Sequence, residues 1–436
     1  MRVMMGIAAL SLIVSFVWGF MAQSQPAPSR PHDLVAPVTD RWREELPADP
    51  QLAEQAYLSR IPLEMRARGD AVENSRYTVL VTRFAVSIAA MVLILVSGAS
   101  ASLGASTARL SGRRWAQDMI FATAFFLLLF SITLPVETYA GYVRWRQFGF
   151  ADRPFLDWLS DFAIDWSTIT VFYVLGIAGF MAMIRRTPKF WVSWATAIYL
   201  VLVSIYMVAA PVLIEPLTNH YSPIPDSALK RDILAMARAN GVPADNVFTA
   251  NASRQSRLLN AHVSGVLGTA RISIDDTTLS GQYQPGILMV VGHEIGHYVM
   301  GHIYYTVLIL TLLAGTGFLL ISWLEPPLIQ KFGESWKIAD MSQTASIPVF
   351  WLLFVVWTFV SNPLNNAYSR WQESQADLYG LNASQAPHGM AEFMIHDADT
   401  GRLEPTALDI LLFFDHPSDK SRVETAMRWR AAHLSR

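Results

Sequence analysis

The sequence predicts a mainly α protein: a polytopic bundle of about seven membrane-spanning helices carrying an extramembrane domain with a small β-sheet. Two observations lead there. Of 436 residues, 52% are hydrophobic and only 16% are charged, a more apolar balance than soluble domains show. Apolar runs of spanning length, each with at most one charged residue, also recur along the chain. A helix needs about 20 apolar residues to cross a bilayer, and seven stretches qualify: Met4–Met21, Tyr77–Leu103, Met119–Thr138, Phe162–Ile184, Phe190–Ile214, Ile303–Leu324 and Ala345–Val360. So many such runs argue against core helices of a large soluble protein.

Composition narrows the chemistry. The formal net charge is -2, which implies no nucleic-acid partner. The chain has no cysteine, so disulfides, thiolate ligands and a cysteine nucleophile are excluded. Any metal must be held by histidine and carboxylate.

The elements follow in order. Residues 1–22 are either a membrane anchor or a signal peptide, since an apolar run after Met1-Arg2 leads into Ala22-Gln-Ser-Gln-Pro-Ala. Residues 23–76, rich in proline and charge, are expected as an extramembrane loop with one or two short helices. Residues 77–214 form a membrane domain of four spans. Residues 215–302 form the first extramembrane piece. Within it, Pro225–Asn240 has the apolar spacing of an amphipathic helix, stopped by Gly241-Val-Pro. Val247-Phe-Thr-Ala and Ala270-Arg-Ile-Ser-Ile are short strand candidates. A helix is expected from about Gln284 to beyond His302. Residues 303–360 form a transmembrane hairpin, so 215–302 and the second piece, 361–436, emerge on the same side and can build one site.

Charge suggests the sidedness. Arg109, Arg113 and Arg114 lie between the second and third spans, and Arg185, Arg186 and Lys189 between the fourth and fifth. Short loops rich in Lys and Arg stay cytoplasmic. The remaining soluble mass then lies outside, in the periplasm if the membrane is a bacterial inner membrane. Arg144, Arg146 and Arg153 count against this orientation, diluted by acidic neighbours.

The chemistry-bearing motif is His293-Glu294-Ile295-Gly296-His297. On a helix, His293 and His297 stand one turn apart on one face. Two imidazoles at that spacing can bind one zinc ion, with Glu294 a general base beside the metal's water. A zinc hydrolase uses three protein ligands and one open position. Trp371-Gln-Glu-Ser-Gln-Ala-Asp offers Glu373 as the third ligand and Asp377, one turn later, as a hydrogen-bond partner for a zinc-bound histidine. His302 is expected to be structural and His262 to line the cleft. Tyr304, Tyr305 and Trp323 suit the membrane interface.

With these residues in place, the chain resembles the CAAX prenyl protease type 1 family, integral-membrane gluzincin metalloendopeptidases. The resemblance rests on His293 through His302, on Ser361-Asn-Pro through Asp377, on Leu134-Pro through Phe150, on Ile214-Glu-Pro-Leu, on Tyr221-Ser-Pro-Ile-Pro-Asp, on Asn260-Ala-His and on Arg271 through Leu279. It implies one Zn2+ per chain held by His293, His297 and Glu373, with Glu294 as base and Asp377 behind a ligand. It also implies substrate binding by Asn260 and Arg422 and oxyanion stabilisation by His416. The stretch after His416 reads Pro-Ser-Asp-Lys-Ser-Arg, where the family commonly has a second proline. The implied partners are a peptide or protein substrate, lipidated or membrane-associated, and the bilayer itself. A membrane quality-control peptidase shares the chemistry. A non-catalytic scaffold would lack one of these residues, and site-2-type intramembrane proteolysis would place the motif on a spanning helix.

Overall fold

The computed structural model describes residues 2–29, 35–265, 270–281 and 283–433. Small parts of the expected units lie outside the described residues: residue 1, 30–34 of the loop, 266–269 and 282 of the first extramembrane piece, and 434–436 of the second. The helices that organise the fold are α1 (Arg2–Gln23), α2 (Leu63–Val96), α3 (Arg114–Thr138), α4 (Phe155–Arg186), α5 (Trp191–Ala209), α6 (Ala228–Ala239), α7 (Gln284–Val299), α8 (His302–Trp336), α9 (Ile347–Ser384), α10 (Pro387–His396) and α11 (Asp419–His433). Among the described residues seven helical stretches, those containing α1 to α5, α8 and α9, are long and apolar enough to span a membrane.

The expected spans are present with two changes in outline. The run Tyr77–Leu103 is not one helix: α2 ends at Val96, and Gly98, at φ 70°, starts a separate helix over Ala99–Leu110. The run ending at Thr138 continues as a π-helical turn over Tyr139–Val143. Pro135 lies just before it, and a proline inside a helix removes a donor and crowds the preceding turn.

Aromatic packing binds the bundle. Phe121, Phe125, Phe180, Phe318 and Phe350 form one buried cluster drawn from α3, α4, α8 and α9. The first segment is part of the bundle: Met4 is fully buried, and Gly19 lies so close to the ring of Phe155 that a Cβ would meet it at 2.4 Å. Towards the arginine-rich loops, Arg185 Nη2 donates to Asp118 Oδ1 (2.8 Å), and Thr344 Oγ1 donates to the same oxygen (2.7 Å). This network ties α3, α4 and the start of α9. A buried charge is costly unless paired and hydrogen-bonded, and this one is both.

The extramembrane domain is built from sequence-distant pieces. Strands β1 (Tyr221–Pro223), β2 (Val247–Ala250), β3 (Ala261–Ser264) and β4 (Arg271–Asp275) lie in the order β1-β2-β4-β3. β2 and β4 pair in parallel, the other neighbours antiparallel. β2 and β4 are the two strands legible in the sequence. Their buried Val247, Ile272 and Ile274 share a core with Ile233 of α6 and Val291 and Ile295 of α7. α6 begins at Ser227, whose side chain accepts from Lys230 N.

The segment after α1 is more than a loop. Its short helices, Asp40–Glu44 and Pro50–Leu58, lay Leu46, Ala53 and Tyr57 into a core with Met390 and Phe393 of α10 and Val423 and Met427 of α11. Arg60 Nη1 pairs with Glu392 across this contact at 2.7 Å.

The helix expected to run from Gln284 past His302 is two helices. α7 ends at Val299, Gly301 adopts φ 66°, and α8 starts at His302. A left-handed residue ends a helix, and glycine adopts it without steric penalty. The histidine motif therefore sits in the last turns of α7, before the spanning helix and separate from it.

Candidate metal centre and cleft

α7 crosses α9 at very close range. A Cβ on Gly296 would lie 2.9 Å from Cβ of Tyr379, and one on Gly380 would lie 2.8 Å from the backbone nitrogen of His293. Glycine at both positions lets the two backbones approach, and that approach carries Glu373 and Asp377 of α9 to the histidines of α7.

Two histidine nitrogens and the two oxygens of the Glu373 carboxylate converge there. His293 Nε2 and His297 Nε2 are 3.0 Å apart. Glu373 places Oε2 3.2 Å from His293 Nε2 and Oε1 3.4 Å from His297 Nε2. A tetrahedral zinc with ligand bonds of about 2.05 Å separates its ligands by roughly 3.3 Å, so the three edges fit. Among the described residues, these three form the group of His, Cys, Asp or Glu able to hold a metal ion.

The hydrogen bonds behind the ligands make the case electrostatic. His293 Nδ1 lies 2.9 Å from Asp377 Oδ1. A carboxylate only accepts, so Nδ1 carries the proton and Nε2 presents a lone pair. Asp377 is itself held by Arg422, whose Nε donates to Oδ2 at 3.0 Å and Nη2 to Oδ1 at 2.5 Å. His297 Nδ1 lies 2.8 Å from His302 Nδ1, and His302 Nε2 lies 3.3 Å from Gln375 Oε1. If His297 Nδ1 donates, His302 accepts at Nδ1 and offers Nε2–H to the amide oxygen, a self-consistent set of tautomers. The two facing Nε2 lone pairs and the Glu373 carboxylate then form a pocket of negative potential that a cation satisfies. Burial disfavours the charged form of His293, yet its bonds to Asp377 and Glu373 more than offset this and raise its pKa to about 9. High proton affinity marks a site short of positive charge.

Around this group lies a cleft of about 210 Å³ lined by Asn260, His293, Glu294, Glu373, His416 and Arg422 among others. The site residues named from the sequence line it except His297 and Asp377, which join through the ligand contacts above; His262, expected to line this cleft, lines a separate chamber instead. His416 is half exposed, with Nε2 3.5 Å from Glu373 Oε1 and Nδ1 3.1 Å from Asp415 Oδ1. Burial opposes its charge, but the hydrogen bond to Asp415 and the field of Glu373 leave its pKa raised. Asn260 directly precedes β3, at the end of the sheet. Its N–H donates to Thr278 Oγ1 (2.7 Å), and its Oδ1 accepts from Ala261 N (2.9 Å), so its exposed side chain is held beside the cleft. Arg422, expected on the substrate side, spends two donors on Asp377 and acts at least in part behind His293.

Sequence reasoning gave His302 no active part and passed over Asp415 and Gln375. His302 carried a signal, five residues after His297 in a helical stretch. Asp415 had only its adjacency to His416. On the membrane side a wider chamber of about 710 Å³ is lined by Glu294, His297, His262 and the helix-end residues Met207, Val212 and Ile303.

Comparison with known proteins agrees with this geometry. The profile of Peptidase family M48 matches residues 223–430, and that of the CAAX prenyl protease N-terminal region, described as five membrane helices, matches residues 64–220. The chain is 29% identical over 338 residues to an uncharacterized metalloprotease of Bacillus subtilis, YhfN, covering 77% of this chain and 79% of the relative. It is 26% identical over 329 residues to CAAX prenyl protease 1 of Saccharomyces cerevisiae, covering 71% of each. The crystal structure of S. mikatae Ste24p superposes with a TM-score of 0.68 over 97% of this chain and 98% of that one, at 19% identity, a likeness of fold.

Proposed function

We propose that this chain, which belongs to peptidase family M48 and is an integral-membrane metalloprotease, is a one-zinc endopeptidase of the gluzincin type whose ligands are His293, His297 and Glu373. The observation that carries this reading is the trio of 3.0, 3.2 and 3.4 Å edges between their donor atoms. Zinc held there supplies Lewis acidity and lowers the pKa of water towards about 7.

The chain's own residues do the rest. Glu294 takes the proton from the attacking water at its carboxylate and later delivers it to the leaving amine nitrogen. His416, whose pKa Asp415 and Glu373 raise against the effect of burial, donates from Nε2 in its protonated form to the carbonyl oxygen as negative charge builds on it. β3 offers an extended substrate backbone a strand to pair with, and Asn260, just before that strand, lines the cleft with Glu294. Asp377 and Arg422 hold the His293 ring, and His302 holds that of His297.

The substrate we propose is a peptide or protein tethered to the membrane, including prenylated chains of the kind named for the yeast relative. The support is the wide chamber on the membrane side of Glu294 and His297, whose walls are membrane-helix ends. We also propose that the site faces the periplasm of a bacterial inner membrane, because Arg109, Arg113, Arg114, Arg185 and Arg186 cluster in the loops that positive charge assigns to the cytoplasm. The test compares purified wild type with Glu294→Gln on one peptide with and without a farnesyl group. Loss of cleavage in the variant supports the catalytic reading, and equal cleavage by both proteins rejects it. Indifference to the lipid rejects prenyl recognition alone. Reporter fusions after Val360 read the sidedness.

A further inference from the structure

The cleft carries two acids that the metal group does not use. Asp419, the first residue of α11, and Asp397, directly after α10, line it together with Glu294 and His416. Apolar wall is supplied by Met289 of α7 and by Met390, Phe393 and Met394 of α10.

The charges facing the cleft leave these two acids over. His293 and Glu373 belong to the proposed metal group, and Glu294 to the proton transfer. Arg422 lines the cleft, but its Nε and Nη2 donate to Asp377. His416 is bonded through Nδ1 to Asp415. Asp397 Oδ2 accepts from Thr400 Oγ1 at 3.4 Å, a neutral donor. Among the described residues no hydrogen bond or ion pair holds the Asp419 carboxylate.

Asp419 is not spent on its own helix. Ser418 Oγ already accepts from Ser421 N at 3.3 Å, the bond that caps a helix start. An acid in the first turn gains from the helix dipole, and Arg422 and His416 also favour its charged form. Burial, followed by the field of Asp397, nevertheless outweighs them and pushes the Asp419 carboxyl up to about 7. A carboxyl raised this far lies where negative charge is in excess, and a cation brought against it restores its charged form.

Lysine and arginine have the shape such a cleft takes. Their hydrocarbon stems lie along apolar surface while the charged head keeps a polar partner, and thioether walls adapt to an unbranched stem. The cleft, at about 210 Å³, has room for about seven groups of water size at ~30 Å³ each, enough for either side chain.

We infer that Asp419, in the field of Asp397, makes this cleft a subsite for a lysine or arginine of the substrate that flanks the cleaved bond. This rests on the endopeptidase reading of the cleft. The basic residue is placed next to the bond because the subsite shares its walls with Glu294, the group that reaches the leaving nitrogen.

The test uses the full-length protein with zinc and one short peptide carrying Lys, Met or Glu at either position flanking the cleaved bond. At one of these positions the wild type is expected to cleave the Lys peptide with kcat/KM about tenfold above the Met peptide, the difference lying in KM. The Glu peptide is expected to be the poorest of the three. Asp419→Asn is expected to bring the Lys-to-Met ratio close to one, and Asp419→Glu to keep part of it, which shows that the altered cleft still folds. Asp397→Asn is expected to lower the ratio in part, and its ratio decides the matter if Asp419→Asn cleaves nothing. A wild-type ratio near one at both positions, or an unchanged ratio in Asp419→Asn, overturns the subsite while leaving the peptidase intact. Resistance of every peptide to the wild type instead removes the peptidase reading, and the subsite with it.

Discussion

Asp377 Oδ1 lies 2.9 Å from Nδ1 of His293, and this single contact decides which nitrogen of His293 faces Glu373. The carboxylate stands one helical turn after Glu373, so one face of α9 supplies both a proposed ligand and the group that orients another. Asp377→Asn keeps the size but lets the amide present either a donor or an acceptor. Zinc affinity is expected to fall 10- to 100-fold, as it does when such outer partners are lost, with the fold retained. Competition with a chromophoric chelator measures it. Arg422→Gln is expected to weaken affinity in the same direction and by less, because Asp377 remains.

Glu294 is the proposed base, so its loss is expected to remove chemistry and spare the proposed ligands. Glu294→Gln is expected to lower kcat by about a thousandfold while the protein binds zinc at wild-type stoichiometry. Parallel turnover and metal analysis on one preparation check both halves.

In the proposed mechanism His416 acts on developing charge, which exists only near the transition state. His416→Gln is expected to lower kcat by about a hundredfold with KM little changed. A rise in KM at constant kcat would instead make His416 a ground-state substrate contact. Asp415→Asn, which removes a hydrogen-bonded carboxylate that raises the pKa of His416, is expected to give a smaller loss of the same kind.

A stability prediction comes from the contact between the N-terminal segment and α10. Tyr57 Oη lies 2.8 Å from His388 Nδ1. Burial, followed by the fields of Arg430 and Arg43, lowers the pKa of His388 from 6.5 to about 4. The unfolded chain therefore binds a proton that the folded one refuses. The stability from neutral His388 is complete above pH 6.5 and is lost as the pH falls from 6.5 towards 4, by an amount on the order of 2 kcal/mol. Thermal melting across that window is expected to show a falling midpoint for the wild type and a flatter curve for His388→Gln.

The His293, His297 and Glu373 group was legible because its signals are local. His293 and His297 share a helical face by spacing alone, and Glu373 and Asp377 do the same on α9. The seven spans were legible because bilayer thickness imposes a length on apolar runs. What escaped reading depends on contacts between distant segments. The break at Gly301 hides inside a helical pattern, because glycine is compatible with both a helix interior and a left-handed stop. β1 is only three residues long, too short to show alternation. The close crossing at Gly296 and Gly380 exists only once α7 meets α9. The packing of Tyr57 and Leu46 on α10 and α11 joins residues more than 300 positions apart.

The account turns on one cation bound by His293, His297 and Glu373, and zinc stoichiometry tests it most directly. Wild type and Glu373→Ala are purified alike, dialysed against metal-free buffer, and analysed by mass spectrometry for zinc per chain. The account predicts about one zinc per wild-type chain and a large loss in Glu373→Ala. A Glu373→Ala protein that keeps the wild-type zinc content would contradict it.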